Sequence, residues 1–384
     1  MRQDWLCNAQ VILPDRIVTG CVRVENGVIA DVLGQPWPGE AIVSTDLRGQ
    51  HLAPGFVELH SHGAGGADFM DATPEAFRTA AETHLKHGVT TLFPTSVAAS
   101  FESITQFLRA FQQVKSPLMP GVHLEGPYLS MEMRGAIDPR YIKNPDPAEY
   151  TALLDFADGD VKRWTAAPEL PGALAFGDAL AAQGILPSIG HTSASYAEIK
   201  QAFRHGFTHF THLYSAMSTI TRVGRFRITG AIESAYLLEG TTAEVIADGC
   251  HLPLELLSYV WRAKGADRVC LTTDSMRCAG TQAARSVLGP LKDGLPVIVE
   301  DGVAKLPDRS AFAGSVATAD RLLRTALEAG IPLCDAVRMM TLTPARVMGL
   351  GDEIGSIEPG KRADLVVFDE NIQIARVMKG GDWQ

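Results

Sequence analysis

The sequence predicts an α/β fold, a (β/α)8 TIM barrel joined to a small β-sandwich domain that is formed from both chain ends. Three observations support this fold. Between residues 54 and 351, eight short apolar runs alternate with amphipathic segments. Several of these segments end in a glycine that leads directly into the next apolar run. The two ends of the chain instead carry the short runs and turn residues of antiparallel strands.

Composition and charge describe an ordinary globular chain and exclude two classes of partner. The 384 residues are 46% hydrophobic and 20% charged, which allows a large buried core. The formal charge of −10 comes from 44 acidic and 34 basic residues, and no run rich in lysine or arginine is present. Neither nucleic acid nor a membrane surface is therefore expected as a partner.

Two further sequence features indicate the cellular compartment of the protein. The N-terminal stretch MRQDWLCNAQ lacks the apolar core of a signal peptide, and no apolar run approaches the ~18 residues of a membrane span. The six cysteines are scattered without a CxxC pair, which predicts reduced thiols rather than a disulfide framework. We therefore expect a cytoplasmic protein.

The predicted barrel strands are nearly continuous apolar runs, as is typical of parallel strands covered by helices on both faces. They are FVELHSH (56–62), VTTLFPT (89–95), GVHLEGP (121–127), RWTAAPE (163–169), ILPSIGH (185–191), FTHFTHL (207–213), AEVIADG (243–249) and RVCLTTD (268–274). Helical segments such as 74–87 and 254–264 separate them. The glycines of KHG (86–88) and RHG (204–206) suit the left-handed residue just past a helix end.

The small β domain is predicted to comprise residues 1–53 and 352–384, with the barrel occupying 54–351. Its first part carries an Asn26-Gly27 turn flanked by apolar residues, which is a hairpin signal. A further hairpin candidate at 290–306, PLKDGLPVIVEDGVAKL, is an optional extension of the same domain.

Six ionisable residues end predicted barrel strands. They are His60, His62, Glu125, His191, His212 and Asp274. Residues two apart on a strand face the same side, so His60 and His62 both point into the barrel. Barrel enzymes keep their active sites at the C-terminal ends of the strands, where these six residues converge.

Burying so many titratable groups together leaves charge uncompensated unless a cation is present, and a divalent ion binds imidazole and carboxylate together. A divalent metal is therefore predicted. Zinc is the first choice, and iron, manganese or cobalt would accept the same ligands. His251, just past the seventh strand, is a candidate for binding substrate at the same rim.

Seven phrases in order resemble the N-acetylglucosamine-6-phosphate deacetylase family of the amidohydrolase superfamily. They are PGFVELHSHG, HLEGPYL, GHTSA, THLYSAM, ADGCH, TTDSM and AGS. The C-terminal phrases TPARVMGL and GSIEPGKRADLVVFD resemble amidohydrolases more widely. The resemblance spans almost the whole chain.

This resemblance implies a hydrolase that converts N-acetylglucosamine 6-phosphate and water into glucosamine 6-phosphate and acetate. It implies one divalent ion held by Glu125, His191 and His212, and a second ion where the His60-Ser61-His62 pair is kept. The resemblance thus leaves open whether one or two ions are bound. Asp274 is implied to take the proton of the attacking water and to return it to the leaving amine.

Two departures from the family pattern fall in the implied substrate pocket. Ile137 stands where the family has a histidine, and Ser215 stands where it has an asparagine, although Ala216 is kept. These departures leave N-acetylgalactosamine 6-phosphate, or another N-acylated amino sugar, as an alternative substrate. A non-catalytic sugar-phosphate-binding relative is the other alternative.

The loop TITRVGRFRITG (219–230) carries Arg222, Arg225 and Arg227. The resemblance implies that an arginine of this loop reaches the phosphate bound by a partner subunit. A homodimer is therefore expected, with the responsible arginine left open among the three.

Overall fold

The eight predicted barrel strands are present in the structure, a computed structural model that describes residues 3–34 and 44–384. The strands are β1 (Phe56–Ser61), β2 (Val89–Ser96), β3 (Val122–Glu125), β4 (Val161–Ala166), β5 (Leu186–Ile189), β6 (His209–Phe210), β7 (Thr242–Ile246) and β8 (Val269–Thr272). Each pairs in parallel with the next along the chain. The predicted (β/α)8 barrel is confirmed.

Hydrogen bonds at the C-terminal ends of β1 and β8 close the barrel. The Asp274 amide donates to the His60 carbonyl at 2.9 Å, and the His62 amide donates to the Ser275 carbonyl at 2.8 Å. Two of the predicted ligand-bearing segments are therefore neighbours across the seam, although 212 residues separate His62 from Asp274.

In the described part of the chain, one α-helix follows each barrel strand, and two more α-helices come after the last of these. They are α1 (Pro74–Lys86), α2 (Phe101–Gln112), α3 (Pro147–Ala157), α4 (Ala173–Ala181), α5 (Tyr196–Phe203), α6 (Ala231–Leu237), α7 (Leu254–Lys264), α8 (Ala319–Glu328), α9 (Leu333–Met340) and α10 (Leu342–Val347). Short 3₁₀ helices span Phe69–Asp71 and Pro139–Tyr141. The predicted C-terminal glycines Gly88 and Gly206 have φ values of 92° and 91°, as the left-handed position requires.

Strands from both chain ends form one sheet beside the barrel. In spatial order they are Asp382–Trp383, Ile374–Lys379, Leu365–Phe368, His51–Pro54, Gln3–Ile12, Ile17–Glu25 and Val28–Gly34, with Ser44–Asp46 pairing with Gln3–Ile12. The sheet folds back on itself, since the Ile29 amide donates to the Lys361 carbonyl at 2.8 Å. A single apolar core that includes Leu6, Val22 and Val367 fills the space between its halves.

The prediction that all six cysteines are reduced thiols is wrong for one pair, because Cys7 and Cys21 form a disulfide. Leu6 pairs with Val22 across the two N-terminal strands, so Cys7 comes opposite Cys21 on the neighbouring strand. Their Cα atoms lie 4.1 Å apart. The other four cysteines are free.

A four-stranded antiparallel sheet is inserted between β8 and α8. Its strands are Arg285–Leu288, Leu295–Glu300, Val303–Lys305 and Phe312–Ser315. The hairpin predicted within 290–306 belongs to this sheet rather than to the sheet of the chain ends. The physical reason is local pairing, because the strands that flank the hairpin in sequence supply both of its edge partners.

Two small hairpins, Gly63–Ala64 with Ala67–Asp68 and Thr221–Val223 with Phe226–Ile228, complete the strands. Among the residues that the structure describes, none of the helices is both long enough and apolar enough to cross a membrane.

Candidate metal centre

All six predicted ligands lie together at the C-terminal end of the barrel. His60 is on β1 and Glu125 ends β3, while the other four lie one or two residues beyond their strands. They form two groups, His60 with His62 and Asp274, and Glu125 with His191 and His212. Within each group one potential ligand atom per residue lies within 4.8 Å of the others, and all six residues are buried.

Glu125 joins the two groups. Its Oε1 lies 3.2 Å from His191 Nε2 and 2.9 Å from His212 Nε2, and its Oε2 lies 3.3 Å from His62 Nε2. Burial alone would raise the pKa of this carboxyl group, but the surrounding imidazoles, His60 foremost, outweigh burial and hold the pKa well below its usual range. Glu125 is therefore an anion placed between two sets of nitrogen atoms.

Asp274 is the second carboxylate of the cluster. Its Oδ1 lies 3.2 Å from His62 Nε2 and 3.4 Å from His60 Nε2. Burial opposes ionisation, yet His60 and His62 lower the pKa of Asp274 below its ordinary value. Conversely, burial disfavours the charged imidazole, but Asp274 and Glu125 outweigh it and raise the pKa of His62 to about 9. The cluster thus attracts positive charge strongly.

In three of the histidines, the ring nitrogen that points away from the cluster, Nδ1, is held by a hydrogen bond. His60 Nδ1 donates to Glu244 Oε1 at 2.7 Å, His191 Nδ1 to the Met133 carbonyl at 2.8 Å, and His62 Nδ1 to the Thr95 carbonyl at 3.3 Å. In a neutral imidazole these bonds leave the Nε2 lone pair directed at the carboxylates. Such a contact becomes favourable only when Nε2 carries a proton or binds a metal ion.

His60 Nε2 provides an independent test of the fit, since it is fully buried and has no hydrogen-bond partner. A buried polar atom without a partner needs an explanation. Imidazole nitrogen and carboxylate oxygen form the donor set of divalent transition metals. The residues present therefore fit a divalent metal.

A buried ion pair beneath the cluster was not predicted from the sequence. Glu244 on β7 binds His60 through Oε1 and Arg163 Nη1 on β4 through Oε2, the latter at 2.6 Å. Burial opposes the charge of Glu244, but Arg163 and His60 hold its pKa well below the usual range. An acid and an arginine within otherwise apolar strand runs were the signal that could have revealed this pair.

Five residues at the same rim have a left-handed backbone conformation. His191, His212 and Asp274 have φ values of 47°, 30° and 44°, in the left-handed region that non-glycine residues rarely adopt. Tyr214 and Ala216, just after β6, share this feature with φ values of 81° and 50°. Such conformations persist where the surrounding structure enforces them, and they cluster at functional sites.

A cavity of about 380 Å³ opens above the cluster. Four of the seven predicted substrate contacts line it, namely Ile137, Ser215, Ala216 and His251. His251 is held in place, since its Nδ1 lies 2.8 Å from Asp248 Oδ2 and its ring packs 4.8 Å from the Phe312 ring. The lining also includes Glu132, Tyr214 and Phe312, which the sequence did not single out.

The three predicted arginine contacts lie elsewhere. Arg222, Arg225 and Arg227 belong to the exposed hairpin Thr221–Ile228, outside the lining of this chain's own cavity. The same hairpin exposes Val223 by 64% and Phe226 by 77%. It therefore presents both apolar and cationic groups to its surroundings.

Comparisons with known proteins agree with this geometry. The model of the amidohydrolase family matches residues 51–383. N-acetylglucosamine-6-phosphate deacetylase of Haemophilus influenzae is 33% identical, over 94% of both chains. N-acetylgalactosamine-6-phosphate deacetylase of Escherichia coli O157:H7 is 29% identical, over 93% of this chain and 92% of that protein.

Solved structures give the same result. N-acetyl-D-glucosamine-6-phosphate deacetylase of Mycobacterium smegmatis, a variant in complex with N-acetyl-D-glucosamine 6-phosphate, superposes with a TM-score of 0.92 at 32% identity, covering 100% of this chain and 99% of that one. The corresponding enzyme of Pasteurella multocida has a TM-score of 0.92 at 28% identity, with 100% of both chains covered. The resemblance inferred from the motifs is thereby confirmed, and the chain belongs to the amidohydrolase family.

Proposed function

We propose that the protein removes the N-acetyl group of an amino-sugar 6-phosphate, converting N-acetylglucosamine 6-phosphate and water into glucosamine 6-phosphate and acetate. The observation that carries this proposal is the double ligand cluster joined by Glu125 at the floor of a cavity, with Asp274 in the cavity wall. Relatives that bear this activity in their names match nearly the whole chain.

We assign Glu125, His191 and His212 to one divalent ion, and His60 and His62 with Asp274 to a second when two are bound. Zinc is the proposed ion, and iron, manganese or cobalt suits the same donors. When bound, the metal supplies Lewis acidity, which polarises the amide carbonyl and lowers the pKa of water.

The chain's own part in the reaction is proton transfer and positioning. Asp274 is ionised and lines the cavity, so it accepts a proton from the attacking water and later donates it to the leaving amine. The carbon–nitrogen bond breaks as the water oxygen joins the acyl carbon. No serine or cysteine nucleophile is required.

The sugar phosphate is assigned to the side of the cavity formed by Ser215, Ala216 and His251. His251 is fixed by Asp248, so its ring is already oriented before substrate enters. N-acetylgalactosamine 6-phosphate is the second candidate substrate, because relatives from E. coli O157:H7 and Shewanella carry that name at 29% and 30% identity. A purely sugar-binding role is disfavoured because Asp274 is present and placed beside the ligands.

The exposed hairpin supports a homodimer. Val223 and Phe226 would gain burial in an interface, and the arginine forks beside them suit phosphate oxygens. We propose that one of Arg222, Arg225 and Arg227 reaches the phosphate in the partner's cavity. The cytoplasmic location expected from the sequence stays a prediction.

A panel of N-acetyl hexosamines, with and without a 6-phosphate, tests the proposed activity on metal-reconstituted protein. Acetate release should be fastest for a 6-phosphate and should stop when the metal is removed by chelation. Absence of acetate release from every member of the panel would refute the deacetylase assignment. Faster release from N-acetylgalactosamine 6-phosphate would select the second candidate.

The hairpin proposal has its own test. Replacing the responsible arginine should raise KM for a phosphorylated substrate and leave an unphosphorylated one nearly unchanged, because a contact remote from the amide contributes mainly to binding. Mixing that variant with Asp274→Asn protein should restore activity, since each hybrid dimer holds one complete site. A fully active monomer, or equal KM changes for both substrate types in Arg222, Arg225 and Arg227 variants, would contradict it.

A further inference from the structure

A second, smaller cavity adjoins the catalytic one. It has a volume of about 70 Å³, whereas one water needs roughly 10–15 Å³ of such space, so it holds several heavy atoms. Val97, Ala136, Ile137 and Leu288 line both cavities, which therefore adjoin along these side chains. We call these four residues the apolar wall.

The far side of the second cavity is also mainly apolar. Its lining includes Met70, Ala98, Ala99, Tyr141, Pro290 and Leu295. The polar members are Ser103, Asp138 and Asp293. Asp138 is already paired, because it accepts from Arg140 Nε at 2.9 Å and from the Arg140 amide at 3.0 Å. The cavity therefore suits an aliphatic group better than a hydroxyl or a phosphate.

The order of the barrel strands places Val97 and Ile137 of the apolar wall away from the residues assigned to the sugar phosphate. Val97 follows β2 and Ile137 lies in the loop after β3, whereas Ser215 follows β6 and His251 follows β7. In a closed barrel of eight strands, β2 and β3 lie across the axis from β6 and β7. A substrate that is bound over the metal centre with its sugar phosphate near β6 and β7 thus has its other end near β2 and β3.

The loop that carries Ala136 and Ile137 begins beside the candidate metal centre. A Cβ built on Gly135 would lie 3.8 Å from His191 Cε1, and Ala136 and Ile137 follow directly. Ala136 and Ile137 line the same cavity as Asp274 and Glu125, so an acyl substituent that points away from Ser215 and His251 meets apolar side chains. Apolar side chains offer no partner for a hydroxyl group, so burying one there is unfavourable.

We propose that the protein hydrolyses amino-sugar phosphates whose N-acyl chain is longer than acetyl, with the chain packed on the apolar wall and extending into the second cavity. This inference rests on the proposed function and names its substrate class. The bond changes are those of the deacetylase reaction. Water adds its oxygen to the acyl carbon, the carbon–nitrogen bond breaks, and the amine receives the proton, which yields a short-chain carboxylate.

An acyl series on glucosamine 6-phosphate tests this specificity. From N-acetyl to N-propionyl to N-butyryl, each added methylene should raise kcat/KM about fourfold, which corresponds to ~0.8 kcal/mol of transfer free energy. N-glycolyl is the matched control, because its hydroxyl replaces the terminal methyl of propionyl at nearly the same size. It should be cleaved more slowly than N-propionyl.

A pair of variants on α2 locates the acyl chain. Ser103→Leu fills the second cavity without altering the catalytic one, so the preference for butyryl over acetyl, about 15-fold for two methylenes, should fall to near unity. Thr105→Leu places the same side chain on the same helix outside both linings and should retain the preference. Ala99→Leu fills the second cavity from another position if Ser103→Leu disturbs α2.

The outcomes separate this inference from the proposed function. Cleavage confined to N-acetyl, or a preference that Ser103→Leu and Ala99→Leu leave unchanged, would overturn the inference and leave the deacetylase assignment standing. No cleavage of any N-acyl substrate would overturn both.

Discussion

The substitution Asp274→Asn isolates the proton-transfer role. Asp274 has a φ of 44°, a left-handed conformation that asparagine adopts more readily than most other non-glycine residues, so the backbone should be retained. The amide keeps the shape of the carboxylate but cannot accept the proton of the attacking water. We therefore expect turnover to fall by at least ~10²-fold, the lower end of general acid–base contributions, or about 2.7 kcal/mol in the activation barrier.

Substrate affinity should change little, because the sugar phosphate is assigned to side chains on other strands. Single-turnover acetate release measures the chemical step, and a binding titration measures affinity, both at matched metal content. Asp301→Asn is the control, since it makes the same change on a carboxylate that is 81% exposed and paired with Lys305. Retention of more than a tenth of wild-type turnover in Asp274→Asn, or weaker binding with unchanged turnover, would refute the assignment.

Three other substitutions give independent predictions. His212→Ala should lower the metal bound per chain, measured by elemental analysis, and abolish turnover, because it removes a donor from a three-residue group; wild-type metal content would contradict the ligand role. Glu244→Gln should weaken metal binding at the His60 site by ~10–100-fold in a chelator competition, since it removes the carboxylate that accepts from His60 Nδ1. Unchanged affinity would leave Glu244 with a structural role only. Asp320→Asn should reduce the free energy of unfolding at pH 7 by about 1.5–3 kcal/mol, because Asp320 accepts a charge-assisted hydrogen bond from His87 at 2.8 Å. Burial alone would raise the pKa of Asp320, but its hydrogen bonds outweigh burial and lower the pKa below its ordinary value. The stabilisation that the Asp320 carboxylate contributes is therefore present above about pH 4 and is lost as the pH falls further. Urea titrations at pH 7 and pH 3 should therefore show a difference that shrinks in acid, and a constant difference would contradict this account.

Much of the barrel could be predicted because its signal is local. Each strand is a short apolar run, and the eight runs appear in the structure with shifted ends; β6, for example, covers only His209–Phe210 of the predicted 207–213. The positions of the candidate ligands could be predicted for the same reason. A side chain at the end of a parallel barrel strand reaches the C-terminal rim whatever the other strands contain.

Contacts between distant segments could not be predicted in this way. The Cys7–Cys21 disulfide depends on the register between two strands, and a shift by one residue would turn one sulfur to the opposite face. The pairing of Arg163 with Glu244 requires side chains from β4 and β7 to meet in the barrel interior. The sequence around Arg163 and around Glu244 does not indicate which residue each of them contacts.

The sequence by itself determined the barrel, the six candidate ligands and the family, because hydrophobic periodicity and motif order are properties of the chain alone. Only the tertiary structure decided that Glu125 joins two groups of candidate ligands, that the 290–306 hairpin is part of an insertion after β8, and that Ile137 lines two adjoining cavities. The physical reason is that periodicity reports which side of a local element is buried. The distances between elements are set by how their buried sides pack together.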